Sequence, residues 1–526
     1  MRKLWLVFVV VSVGCASHKP NAAALAAAEA RAIQAQIDQA DARILEGCYE
    51  CLLEARDRFL NLAGTKTRPT ILARLFEVQL LIALRQKELA LDPAVAIAAA
   101  RDLVKELPPA MESERYLGLV DAVSPEDNGT PRAELRAFRL TPARGKYAAN
   151  LDEELKWLAS STGVSAPVRQ YISLAFDCTT PRPRRPGQLP GEAINRDPGP
   201  SAPPLVRFRY AICGDIRRAP LEEIRAAVPR FVETSYFIAR LDVAAKRSKA
   251  RESLIEALTR FPQSPAVTYL NATFNQLIGD CRAGLRFYDE TVAIKPRHEN
   301  SLLGRVVCLT FLKRGDEAVA AATHVIDLKL DNVADALYWR AWNYHELTQL
   351  DAARTDVESA KRLSVKGEIL TLAGIIEYEQ NDFPTAERDL TTARSLSGGE
   401  RNCVASWYLG LVEMKREHWP ESAAHFEGSM GCYQASVAED QANKRAMEAN
   451  QDVDPEFKAK QIAGFDAAIE EDSKQMYASA FNAANHFARG GNQTKARVLV
   501  EIAAKDPSLA DRVADLKKIL AGGGLY

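Results

Sequence analysis

Small and bulky apolar residues alternate in a recurring order over the second half of the chain. Pro262 and Pro296 stand 34 positions apart, each closing a segment of helical apolar period, ESLIEALTRF and LRFYDETVAIK. Turns open such segments at GDCRAG (279–284), TQLDAA (348–353), NDFPTA (381–386), EHWPES (417–422) and GNQTKA (491–496). The last residue of each is small: Gly284, Ala353, Ala386, Ser422 and Ala496. Upstream of the later turns runs a second helical pattern with a small residue where two helices should cross, at Ala341, Gly374, Gly410 and Ala484. A small side chain there lets helix axes approach at the short end of about 8–10 Å. Downstream come Val357, Leu390, Phe426 and Val500, then Ala360, Ala393, Ser429 and Ala503. The pattern predicts antiparallel helix pairs repeating along the chain.

This order resembles the tetratricopeptide repeat (TPR) family, whose helix–turn–helix units stack into a right-handed superhelical solenoid. The likeness covers about residues 234–433 almost continuously and returns at 477–507. It implies an all-α fold and a concave face lined by the first helix of each unit. Carried over, the outward positions of those helices are Tyr269, Arg305, Lys313, Tyr338, Trp342, His345, Tyr378, Trp407 and Lys415. An aromatic groove with interspersed positive charge suits an extended peptide or a helix.

Two stretches break the period. Between Gln434 and Met476 the spacing of turns grows to 74 residues over a charged, helical pattern broken at Asp454-Pro455, which predicts two overlong helices projecting beyond the stack. The segment 179–205 is dense in Pro and Gly and predicts a linker or long loop. After it VRFRYAI (206–212) alternates apolar and polar, as a short strand would. Residues 15–178 read as helical, degenerate repeats, with Asn21 and Asp92 as caps, although 109–166 carries no clear pattern. The expected divisions are 1–14, 15–178, 179–205, a TPR array at 206–433, a helical hairpin at 434–476, and a final repeat with capping helix at 477–526.

The chain opens MRKLWLVFVVVSVGCASHKP: a basic start and an apolar run spanning only about half a bilayer core, which makes a signal segment rather than an anchor helix. Gly14-Cys15 resembles the lipobox of bacterial lipoproteins, with Ser12 where a leucine is usual. That resemblance implies an acylated Cys15 and a membrane-tethered protein, with Ala16 favouring the outer membrane and its periplasmic face. Removing Cys15 leaves eight cysteines, an even number for an oxidising compartment. Cys403 and Cys432 lie at the ends of one helical hairpin, and Cys178 with Cys213 brackets the Pro-rich segment, so each pair is placed to form a disulfide. Cys281 and Cys308 are expected to be either a distant pair or buried thiols.

Lys+Arg 68 against Asp+Glu 69 gives no electrostatic reason for nucleic-acid binding. Phosphate loops, zinc-protease helices, nucleophile elbows and dinucleotide fingerprints are absent from the sequence, so no catalytic residue, cofactor or metal site is expected. The histidines are scattered; His418 and His425 lack companions for a metal site. Cys48 and Cys51 have the spacing of a dithiol catalyst, yet Gly47-Cys-Tyr49-Glu-Cys-Leu52 fits the same turn rule as the repeats and is expected to close a local disulfide or be buried. The expected function is a scaffold or adaptor for envelope proteins in outer-membrane, secretin, pilus or motility assembly. Glycan or nutrient capture by a surface lipoprotein and a thiol oxidoreductase using Cys48 and Cys51 are the alternatives.

Overall fold

The computed structural model describes residues 22–65, 68–124, 146–147, 149–179, 197–245, 249–396, 398–451, 453 and 455–522. The signal segment, Cys15, Asn21 and most of the Pro-rich stretch (180–196) lie outside the described residues. Among the described residues the regular structure is helical, with no strand.

The amino-terminal region contributes α1 (Ala22–Glu46), α2 (Tyr49–Leu62), α3 (Arg68–Glu88), α4 (Ala94–Val104), α5 (Ser113–Ala122), α6 (Leu151–Ser160) and α7 (Ala166–Thr179). Asp92 was expected to cap α4, but the N-cap is Pro93, which makes no side-chain cap bond; Asp92 instead accepts from the Ala94 N–H at 2.9 Å in the turn before the helix. The helices share one core that includes Phe59, Phe76, Tyr116, Tyr171 and Phe176. Next comes α8 (Pro204–Ala211), where a strand was expected. The alternation of Val206, Phe208 and Tyr210 is overridden because Pro204 occupies the first helical position, and Leu205, Phe208 and Arg209 turn one face inward. That face docks on the amino-terminal region. Arg85 of α3 is fully buried, lies 4.0 Å from the Phe208 ring centroid and donates to Gly47 O at 2.8 Å, while Arg209 pairs with Glu88 at 3.1 Å. Charges this deep require partners, and they tie the two sides of the Pro-rich segment together.

The array continues with α9 (Arg218–Ala227), α10 (Glu233–Ala244) and α11 (Ala250–Arg260). The clearest hairpins follow: α12 (Pro265–Leu277) with α13 (Cys281–Ile294), α14 (Glu299–Phe311) with α15 (Gly315–Asp327), α16 (Val333–Glu346) with α17 (Leu350–Leu363), and α18 (Gly367–Glu379) with α19 (Phe383–Ser395). The turns follow one rule. Gly279, Lys313, Thr348, Asn381, Glu417 and Gly491 each take a positive φ of 57–84°, which reverses the chain. Asp280, Asp382 and Asn492 then cap the next helix through the N–H three residues on. The small crossing residues are required sterically: a methyl at Gly374 would lie 2.4 Å from Leu390 Cγ, and one at Gly410 2.9 Å from the Phe426 ring.

The array ends with α20 (Cys403–Lys415), α21 (Trp419–Ala449), α22 (Pro455–Arg489), α23 (Gln493–Ala503) and α24 (Ala510–Gly522). The overlong hairpin is therefore two repeat helices, of 31 and 35 residues, extended past their own units. It does not stand clear of the stack as expected. Gln461 Nε2 donates to Leu277 O of α12 at 3.5 Å, and Lys460 lines a cavity with Asn271, Phe274 and Asn275. The run from Tyr433 to Ala449 covers about 25 Å, enough for the hairpin to lie back over the first helices.

Candidate peptide groove

Tyr338 and Trp342 are one turn apart on α16 and so share a face. Beside them α18 offers Glu368, Thr371 and Leu372, and the start of α20 offers Cys403 and Val404. Tyr433 and Ser436 of α21 and Asp472 of α22 form the opposite wall, enclosing a cleft of about 590 Å³. Arg401 and Asn402, from the connection before α20, close one end. The lining is fixed by bonds between its elements: Asn402 Nδ2 donates to Thr371 Oγ1 at 2.7 Å, and Ser436 Oγ donates to Asp472 Oδ2 at 2.5 Å. Burial, with Glu368 nearby, pushes the Tyr338 hydroxyl up to about 12; burial and Asp472 do the same for Tyr433. Both phenols therefore stay neutral and can donate hydrogen bonds at physiological pH.

Of the nine groove positions expected, the cleft brings together Tyr338 and Trp342. Tyr269 packs against Tyr288 and His298, Tyr378 against Phe383 and Tyr408, and Trp407 on Phe426 at 5.0 Å. These three rings cement neighbouring helices. Arg305 turns away toward α13 and α15, because Asp289 holds its guanidinium at 2.6 Å. Lys313 is the left-handed turn residue itself and pairs with Glu346 at 3.3 Å. His345 meets Glu379 of the next repeat at 3.0 Å, and Lys415 is exposed in the last turn of α20. The inward-folded hairpin supplies Tyr433 and Asp472, which repeat register alone could not locate.

The structure joins Cys48 to Cys51, Cys178 to Cys213 and Cys403 to Cys432, with Cα separations of 4.9, 5.4 and 5.3 Å. Cys48 caps α2, and both it and Cys51 are fully buried beside Leu89 and Phe208. No face of that pair is open to a substrate thiol. The Cys403–Cys432 bond sits at the base of the long hairpin and holds it beside α20, under the cleft.

Among the described residues one carboxylate group has metal-like spacing, Glu358, Glu377 and Asp389. Its centre is taken by the Lys361 ammonium, 2.7 Å from Glu358, 3.6 Å from Glu377 and bonded to Asp389. Burial and the Asp389 charge push the Glu377 carboxyl up to about 8. This is an ion cluster within the array, in which Lys361 and Arg388, 3.2 Å from Asp389, are the cations. No helix among the described residues is long and apolar enough to cross a membrane.

No known family profile matches the chain, and no curated relative matches it. Solved structures similar to it include the APC/C hetero-tetramer Cut9-Hcn1, at 11% identity and TM-score 0.39 over 90% of this chain and 93% of that one. Yeast Tom70 aligns at 12% identity and TM-score 0.31 over 84% and 96%, and the human IFIT1 dimer with PPP-AAAA at 11% and 0.33 over 90% and 99%. Likeness at this level carries nothing about function. The stacked hairpins, their left-handed turns and their glycine crossings make the described chain an all-α TPR-type solenoid.

Proposed function

We propose that the protein is a protein-binding scaffold that holds a segment of a partner in the cleft between α16, α18, α20 and the returning hairpin. The observation that carries this reading is the cleft itself: about 590 Å³, walled by the aromatic rings of Tyr338, Trp342 and Tyr433, with Arg401, Glu368 and Asp472 at its margins. Rings supply contact area at low entropic cost, and charges of both signs set register. Such a slot takes an extended or singly helical segment rather than a folded domain.

The lipobox-like Gly14-Cys15 supports the further proposal that the chain is an acylated lipoprotein of the cell envelope, tethered to the outer membrane on its periplasmic side and serving envelope assembly. Three cystines suit that oxidising setting. Two experiments separate the proposals. Cross-linking of envelopes followed by affinity capture should recover a partner that Tyr338→Ala with Trp342→Ala loses, while Arg305→Ala keeps it. Undiminished capture by the double variant would end the groove reading. Mass spectrometry of the mature amino terminus should find an acylated Cys15, and Cys15→Ala should release the protein from membranes; an unmodified terminus would end the lipoprotein reading.

A further inference from the structure

Among the described residues three cystines leave Cys281 and Cys308 as thiols, and the fold brings these two together. They sit on α13 and α14, the second helix of one repeat and the first of the next, in a single buried cluster with Ala272, Leu285 and Leu309. Cys281 is the first residue of α13, directly after Asp280, which caps the helix through the Ala283 N–H at 3.0 Å. The Cys308 sulfur reaches the same face of α13: a methyl placed on Gly284, one turn beyond Cys281, would lie 3.5 Å from it. The neighbouring Cys308 thiol draws Cys281 below the ordinary thiol range, while Cys281 and burial push Cys308 well above it. The amino-terminal end of a helix also favours a thiolate. Exposure separates them further: Cys281 is 8% exposed and Cys308 fully buried.

We propose that Cys281 and Cys308 are a redox-active dithiol that closes a fourth disulfide between consecutive repeats, with Cys281 as the attacking sulfur and Cys308 as the resolving one. The oxidant is a disulfide, for which glutathione disulfide is the probe. The Cys281 thiolate attacks one of its sulfurs, the glutathione S–S bond breaks, and a glutathione thiolate leaves and takes up a proton. Cys308 loses its proton and attacks Cys281 in the mixed disulfide, expelling the second glutathione as a thiol. Two protein thiols are oxidised by two electrons, and one disulfide is reduced to two thiols. Neighbouring units of the array are otherwise held by packing, hydrogen bonds and ion pairs, so this bond turns one repeat boundary from a separable interface into a covalent one. Its place is specific. Asp280 and Phe287, beside Cys281 and along the same helix, line the cavity that Lys460 of the hairpin tip enters.

The test uses the folded full chain, incubated with glutathione disulfide, quenched in acid, alkylated and peptide-mapped without reduction. The proposal expects the peptides holding Cys281 and Cys308 to be recovered linked to each other. Cys308→Ser should stop at the first step, with one glutathione on Cys281, whereas Cys281→Ser should leave Cys308 unmodified. Two alkylatable thiols persisting in the oxidised wild-type chain would overturn it, and that reading needs no variant to fold. Equal glutathione uptake at Cys308 in Cys281→Ser would overturn the assigned order.

Discussion

Gly374→Ala is the sharpest probe of the repeat geometry, because two opposing effects meet at one methyl group. In an isolated helix the change helps, since Ala is better than Gly by about 1 kcal/mol in a helix interior. Here the added Cβ would lie 2.4 Å from Leu390 Cγ and 2.7 Å from its Cδ2, closer than carbon atoms approach. Leu390 is fully buried between Ala386 and Ala393 of α19 and has no open direction in which to retreat. Overpacking of this kind costs about 1–3 kcal/mol, so the clash outweighs the propensity gain and the net loss is on the order of 1 kcal/mol. Leu390→Ala alone should cost about 2–5 kcal/mol by opening a cavity. The double variant should be less destabilised than the sum of the two, because the methyl then occupies space that the leucine has left. The assay is native-state hydrogen exchange across 367–395, since a repeat array opens locally rather than in one step. Faster exchange confined to α18 and α19, with a favourable coupling in the double variant, is expected. Unchanged or slower exchange in Gly374→Ala would show that the helices do not cross at this residue.

Three further outcomes follow from the same structure. Lys313→Gly and Glu417→Gly should each stabilise their hairpin by about 1 kcal/mol, because both residues hold a left-handed φ (57° and 61°) that costs a side chain that much; urea titration monitored at each turn checks this, with Gly279→Ala moving the other way. Glu377, raised to about 8 chiefly by burial, keeps its proton in the folded chain where the unfolded chain has lost it. Its contribution to stability is therefore intact below the usual carboxylate range and falls as pH rises toward 8, and Glu377→Gln should gain on wild type over that interval by up to about 1.4 kcal/mol per pH unit. His486 behaves in the opposite sense: burial, then Arg489, lowers it to about 4. Ser422 Oγ donates to Gly410 O at 2.6 Å and lies 2.8 Å from His486 Nδ1, so the network assigns the imidazole proton to Nδ1. Stability should drop between about pH 6.5 and 4 as the unfolded chain takes up a proton that the folded one refuses, and His486→Asn should flatten that loss in denaturant midpoints measured across the range.

Gly374 and Gly410 are legible in the sequence because the helix crossing is a local steric rule, and the position of each can be counted from the next turn. The turns GDCRAG, NDFPTA and GNQTKA are legible for the same reason, but the capping by Asp280, Asp382 and Asn492 within them is seen only in the structure. VRFRYAI is misleading: a period-two alternation this short is also compatible with one helical face, and Pro204 settles it only once α8 is seen docked on Arg85. The length of the long hairpin can be read from the stretched turn spacing and the charged pattern. Its direction cannot, since its seat at Leu277 is 184 residues away from Gln461 in the chain. Tyr433, Ser436 and Asp472 wall the cleft opposite Tyr338 and Trp342, so these two emerge as site residues while Tyr269, Tyr378 and Trp407, alike in repeat position and chemistry, serve the packing. Arg305 is diverted by a carboxylate on another helix, Asp289, which residue type and register do not reveal.

On the proposed reading, partners enter the first-helix cleft rather than the outer surface. A photo-reactive amino acid placed at Trp342, and separately at exposed Val498 on α23, measures this most directly in intact cells. One partner segment should become cross-linked from position 342 and none from 498, with the yield at 342 falling when Tyr433→Ala is added. Equal labelling from both positions, or labelling from 498 alone, would contradict it.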